Sequence, residues 1–173
     1  MELRPNLITN FGLFWDLNEV EWSTAKRGGT RMLGRSGKRT ADFYDMPGVY
    51  VLYGKFGVYY AGVSGKGKIG GKSGIGYRVR KHSELKKREF DKFSWFGFSE
   101  VAKGNDGVLA VVHPPKKSKQ IRWKSAIQDI EGILHRVLPL HGHQKEGFGV
   151  PEKNQQFKVI EWRQVPRAEA QTL

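Results

Sequence analysis

Gly48-Val49-Tyr50-Val51-Leu52-Tyr53-Gly54-Lys55-Phe56-Gly57-Val58-Tyr59-Tyr60-Ala61-Gly62-Val63 decides how this chain folds. Two β-branched and aromatic runs, Val49 to Tyr53 and Val58 to Val63, flank a glycine-bounded turn, and that pattern predicts a β-hairpin. Its register decides what the hairpin can do. If Lys55 is the centre of the turn, Tyr50 stands opposite Tyr60 and the two side chains share a face; a one-residue slip sends them to opposite faces. The residues alone leave both registers open.

Downstream, Ser64 to Gly76 is a glycine and lysine loop, and Ile75 with Val79 at helical spacing predicts a helix from about Ile75 to Phe90. Phe93 to Val101 and Val108 to Val112 read as two more strands around the turn signal Gly104-Asn105-Asp106-Gly107. After Pro114-Pro115, the residues Trp123, Ile127, Ile130, Leu134 and Val137 define the buried stripe of a helix that Pro139 ends. Glu131 borders that stripe, a position suited to a carboxylate at the wall of a cleft. Phe157 to Trp162 predicts one further strand.

Upstream, Phe11, Phe14, Trp15 and Trp22 precede an acid-free stretch from Ser23 to Thr40, where Lys26, Arg27, Arg31, Arg35, Lys38 and Arg39 alternate with glycines. Such a composition stays extended and mobile until its charge is neutralised, so it reads as an arm that grips phosphate or as a solvated loop. The organisation expected is an N-terminal extension with this basic arm over 1–45, a core over 46–145, and a C-terminal strand and tail over 146–173.

Composition narrows the function. At 173 residues the chain is long enough for one domain of about 150 residues with a modest extension. Its 38% hydrophobic content supports a real core, and 30 basic against 17 acidic residues give a formal charge of +13, which attracts polyanions. With no cysteine there is no disulfide framework, thiolate metal site or cysteine nucleophile. Glu2, Arg4 and Asn6 interrupt the apolar core a signal peptide needs, and no apolar run approaches the roughly 20 residues of a membrane span. A cytoplasmic protein without a membrane partner is expected. The glycines from Gly65 to Gly74 show no Gly-Lys-Ser in Walker spacing before a helix, which argues against nucleotide binding.

Gly48-Val49-Tyr50, nine intervening residues and Tyr60-Ala61-Gly62 resemble the signature of the GIY-YIG nuclease superfamily, with Ala61 where the family usually has isoleucine or valine. Members carry an arginine on the next helix, often with a histidine or tyrosine one turn later, and Arg78 and His82 match. A glutamate on a later helix, followed by a proline, matches Glu131 and Pro139. Many members have an asparagine after that proline; here the stretch is Leu140-His141-Gly142-His143-Gln144, so His141 or His143 stands in or that hydrogen bond is lost. The resemblance covers about residues 46 to 145. It implies an α/β (α+β) fold with a small central, mostly antiparallel sheet flanked by helices, and a metal-dependent endonuclease site formed by Tyr50, Tyr60, Arg78, His82 and Glu131.

The same residues make chemical sense without the family. Hydrolysing a phosphodiester requires a nucleophilic water, charge stabilisation at phosphorus and help for the leaving oxygen, and Mg2+ or Mn2+ supplies part of each. Glu131 is a hard oxygen ligand, and magnesium takes only one or two protein carboxylates. Tyr50 would bond or deprotonate the water; a free phenol has a pKa of about 10, so the second role requires cationic neighbours such as Arg78 to lower it. Arg78 would clamp the scissile phosphate. Lys26, Arg27, Arg31, Arg35, Lys66, Lys68, Lys72, Arg80 and Lys81 are the expected backbone contacts. DNA, double-stranded or branched, is the expected partner, RNA the alternative, and the acting species a monomer or homodimer. The competing reading is a non-catalytic nucleic-acid binding module that retains the scaffold.

Overall fold

A computed structural model of the chain describes residues 8–22, 30–55, 57–64, 74–85, 89–104, 107–112 and 160–172. Its elements run β1 (Asn10–Asp16), a 3-10 turn (Leu17–Glu19), β2 (Leu33–Ser36), β3 (Arg39–Asp42), β4 (Gly48–Gly54), β5 (Gly57–Ser64), α1 (Ile75–Leu85), β6 (Phe90–Gly97), β7 (Val101–Lys103), β8 (Leu109–Val111), β9 (Ile160–Glu161), β10 (Arg163–Gln164) and α2 (Arg167–Ala170). The expected mixed α/β class holds, with strands predominating among the described residues.

The expected hairpin forms from β4 and β5. It closes with Gly54 opposite Gly57, whose φ of +113° is a backbone state that favours glycine. β6 pairs along the other side of β4, and β1 and β9 follow, so the first sheet has the order β5-β4-β6-β1-β9. Only the β1–β9 pair is parallel. A second five-stranded sheet has the order β10-β2-β3-β8-β7, parallel only between β3 and β8.

Side-chain alternation gives β4 two buried faces. Tyr50 and Leu52 enter the main core, which joins residues of both sheets, including Trp15, Phe43, Trp95 and Trp162. Ring centroids there lie 4.4 Å apart for Phe43 and Trp95, and 5.3 Å apart for the edge-to-face pair Trp15 and Trp95. Ile75 and Val79 of α1 are fully buried in the same core. Val51 and Tyr53 point the other way, to a second cluster with Ile8, Phe11 and Phe96. Because both faces are covered, Val49 to Tyr53 is apolar or aromatic at every position.

The two sheets are joined covalently at Trp162, between β9 and β10. Its backbone N–H donates to the Phe11 carbonyl at 2.8 Å, its indole N–H donates to Asn10 Oδ1 at 2.8 Å, and its carbonyl accepts from the Trp15 indole at 3.3 Å.

Several expectations change. The expected small central sheet is instead a pair of five-stranded sheets. Residues expected in an N-terminal extension are built into both: β1 lies between β6 and β9, and β2 and β3 sit in the second sheet. Residues 33–42 of the basic stretch form a hairpin instead of a mobile arm, with Gly37 at φ +60° in its turn. Neutralisation by phosphate is unnecessary there, because Arg35 pairs with Glu169 and Arg39 lies over the Trp162 ring, 5.6 Å from its centroid. The strand expected from Phe93 to Val101 divides into β6 and β7; of the one expected from Phe157 to Trp162, Ile160 and Glu161 form β9, and residues 157–159 lie outside the described residues. α1 ends at Leu85, and β6 has begun by Phe90. The helix expected over 123–137 lies outside the described residues. Among the described residues, no helix is long and apolar enough to cross a membrane.

Candidate functional site

The site begins with the register of the hairpin. Next to the turn Tyr53 pairs with Val58, but beyond it Leu52 pairs with Tyr60 and Tyr50 with Gly62, so Tyr59 is an extra residue in β5. Continuing the register of the turn would set Tyr50 opposite Ala61 and send Tyr60 to the far face. The bulge restores Tyr60 to the face of Tyr50. Tyr60 therefore stands two positions along from the partner expected with Lys55 at the centre, and the shared face survives because the side-chain period is two.

Opposite Tyr50 the strand must carry glycine. A Cβ on Gly62 would lie 2.5 Å from Tyr50 Oη, 2.6 Å from its Cζ and 2.8 Å from Tyr60 Cε1. Both tyrosine rings thus fold over Gly62. Gly48, at the start of β4, is constrained by backbone: its Cβ would meet the Phe96 carbonyl oxygen at 2.0 Å.

α1 completes the arrangement. With Ile75, Gly76 and Val79 buried, α1 leaves Arg78 exposed and His82 half-buried one turn further on. His82 Nε2 lies 3.0 Å from Tyr50 Oη. The phenol donates when Nε2 carries no proton and accepts when it does. The His82 ring also lies 4.5 Å from the Tyr60 ring, and the two tyrosine rings are 6.1 Å apart. Tyr50 is only 2% exposed, whereas Tyr60 is 42% exposed.

Burial sets the protonation of Tyr50. Desolvation and the neighbouring Tyr60 raise its pKa, the Arg78 charge lowers it, and the net effect pushes it up to about 12. The cationic neighbour invoked to lower this phenol is present, but burial outweighs it. Tyr50 is a neutral phenol at physiological pH. It can orient a water through its oxygen and pass its proton toward His82, but it does not stand ready as a phenolate.

The expected phosphate contacts separate into two groups. Arg80 donates to Thr30 Oγ1 at 2.8 Å and to Glu84 at 3.0 Å, Lys81 pairs with Glu84 at 3.1 Å, and Arg35 pairs with Glu169. Arg31 has its backbone N–H bonded to the Glu21 carbonyl at 3.1 Å and sets its charge near the buried Asp42 carboxylate. Lys26, Arg27, Lys66, Lys68, Lys72 and Glu131 lie outside the described residues, as do His141 and His143. Among the described residues, no group of three or more His, Asp or Glu could hold a metal ion. Tyr50, Tyr60, Arg78 and His82 supply no carboxylate, so they do not make a divalent-cation site by themselves.

Two features had no sequence signal. The Tyr59 bulge depends on pairing that only the folded sheet fixes. A cleft of about 600 Å3 on the second sheet, lined by Arg35, Arg163, Glu161 and Glu169 among others, brings together residues far apart in the chain. No protein-family model, curated protein or solved structure matches this chain.

Proposed function

We propose that the chain is a GIY-YIG endonuclease that hydrolyses DNA phosphodiester bonds with the help of a divalent metal ion. The observation that carries this reading is the 3.0 Å contact between Tyr50 Oη and His82 Nε2, with Tyr60 against the histidine ring and Arg78 one turn away. Four residues drawn from β4, β5 and α1 converge, with Tyr50 buried and Tyr60 and Arg78 exposed, in the order hairpin then helix that the resemblance implies. A purely structural tyrosine pair has no need of an arginine and a histidine spaced one turn apart above it.

In this reading the water nucleophile bonds the Tyr50 oxygen, and the phenol passes its proton to His82 as the water loses one. Arg78 binds the scissile phosphate in bidentate fashion and offsets the charge that develops there. Tyr60, adjoining His82, helps to fix the imidazole orientation. Glu131 would hold the metal with substrate phosphate oxygens completing its shell, and the bound ion would supply Lewis-acid stabilisation.

Plasmid cleavage at low salt, with and without Mg2+ or Mn2+, tests this reading in the native chain and in Glu131→Ala, with DNA binding followed in parallel. Metal-dependent cutting that Glu131→Ala abolishes while binding persists is the expected result. Binding without cutting across DNA and RNA substrates would favour a non-catalytic nucleic-acid module. The raised Tyr50 pKa is the observation on that side, because a buried phenol and its histidine can also persist as packing.

A further inference from the structure

The bulge in β5 does more than align Tyr60. Tyr59, the inserted residue, stacks on Phe90 with ring centroids 6.4 Å apart and planes 18° from parallel. Phe90 belongs to the main core with Ile75 and Val79 of α1. Tyr60 packs on His82 of the same helix. Two consecutive tyrosines, which a regular strand would send to opposite faces, therefore both lie on the α1 side of the sheet. Both are exposed, at 37% and 42%, on a strand that ends the sheet among the described residues.

These rings are held in place. The Tyr59 ring stacks offset on Phe90 and its hydroxyl donates to Glu89, while more than a third of the residue stays exposed. Exposed aromatic rings fixed beside a cationic site match the stacking platforms that bind unpaired bases, which accept any base because each has a π-face. The Glu89 carboxylate at the rim disfavours a phosphate there and leaves the ring to a base. The +13 charge of the chain favours a polyanionic partner over a second copy of itself.

We propose that Tyr59 and Tyr60 form a stacking platform for unpaired nucleobases beside the scissile phosphate, so that the substrate class is DNA with single-stranded or distorted nucleotides at the cut site. This rests on the nucleic-acid reading above and assigns its substrate.

Fluorescence anisotropy in EDTA, where no cutting occurs, compares a fully paired duplex with the same duplex interrupted by a short run of unpaired thymidines. The native chain should prefer the interrupted duplex by about tenfold, a typical effect of stacking one base. Tyr59→Leu should reduce that ratio to about one, and Tyr59→Phe, which keeps the ring and loses the hydroxyl, should preserve it. No preference in the native chain, an unchanged ratio in Tyr59→Leu, or equal losses in both variants would overturn the platform. So would a concentration-dependent increase in mass without DNA that Tyr59→Leu abolishes, which would assign the edge to a second copy. An intact preference without metal-dependent cleavage would overturn the nuclease reading alone, whereas cleavage of uniform duplex without preference would overturn the platform alone.

Discussion

Gly62 is small because Tyr50 occupies the volume a side chain would need. Gly62→Ala forces the Tyr50 ring away from His82, and the cost expected for overpacking is about 1–3 kcal/mol, measurable as a lower urea midpoint. Cleavage should fall with it, because the displaced phenol no longer reaches Nε2. Tyr50→Phe separates chemistry from packing: the ring stays, the fold is retained, and cleavage should drop by about a hundredfold, as expected for losing a proton-transfer group. The same substitution reports on alkaline stability. The folded-state pKa of Tyr50, about 12, lies above the ordinary value of 10.0, so the folded state retains a proton the unfolded state releases. That stabilisation is fully present below pH 10 and is lost as pH rises from 10 toward 12. Urea midpoints measured across this window should fall less steeply for Tyr50→Phe than for the native chain.

At the scale of elements, strand pairing distance makes its own demand. β4 and β6 approach so closely at Gly48 that Gly48→Ala sets a methyl group against backbone, which no rotamer change relieves. A loss exceeding about 3 kcal/mol is expected, read as a strongly reduced thermal midpoint or failure to accumulate folded protein. The β4–β5 hairpin was legible because alternating β-branched and aromatic residues on both sides of glycines leave few alternatives. α1 was legible from Ile75 and Val79, and with it the convergence of Arg78 and His82. The second sheet was not. The core-facing side of its central hairpin carries Gly34 and Ala41, since a Cβ on Gly34 would meet the Trp15 and Phe43 rings at 2.9 Å. Two strands without large inward side chains show no hydrophobic period, and their arginines suggested an arm. The bulge was illegible for another reason: an extra residue in β5 is defined only by its pairing with β4, which residues local to β5 do not reveal. Glu131, the one carboxylate assigned to the site, lies outside the described residues.

Across the whole molecule, excess positive charge does not translate directly into DNA contacts. Arg80 and Lys81 share Glu84, and Arg35 has Glu169, so these cations are already engaged within the fold. Arg80→Gln should lower stability by about 0.5–1 kcal/mol through its lost Glu84 and Thr30 contacts. The slope of log affinity against log salt for DNA should remain unchanged by that variant, since the slope counts phosphates neutralised. The Trp162 junction adds a constraint in time. Trp162 bonds Asn10 and Phe11 on the first sheet, and β10 immediately afterwards pairs with β2 on the second. During synthesis β1 and β2 must therefore wait for residues about 130–150 positions further on before either sheet has its described strands. A ribosome-bound chain stopped short of Ile160 would hold Tyr50, Arg78 and His82 in an unfinished frame, so maturation of the site waits until Ile160 to Gln164 have emerged.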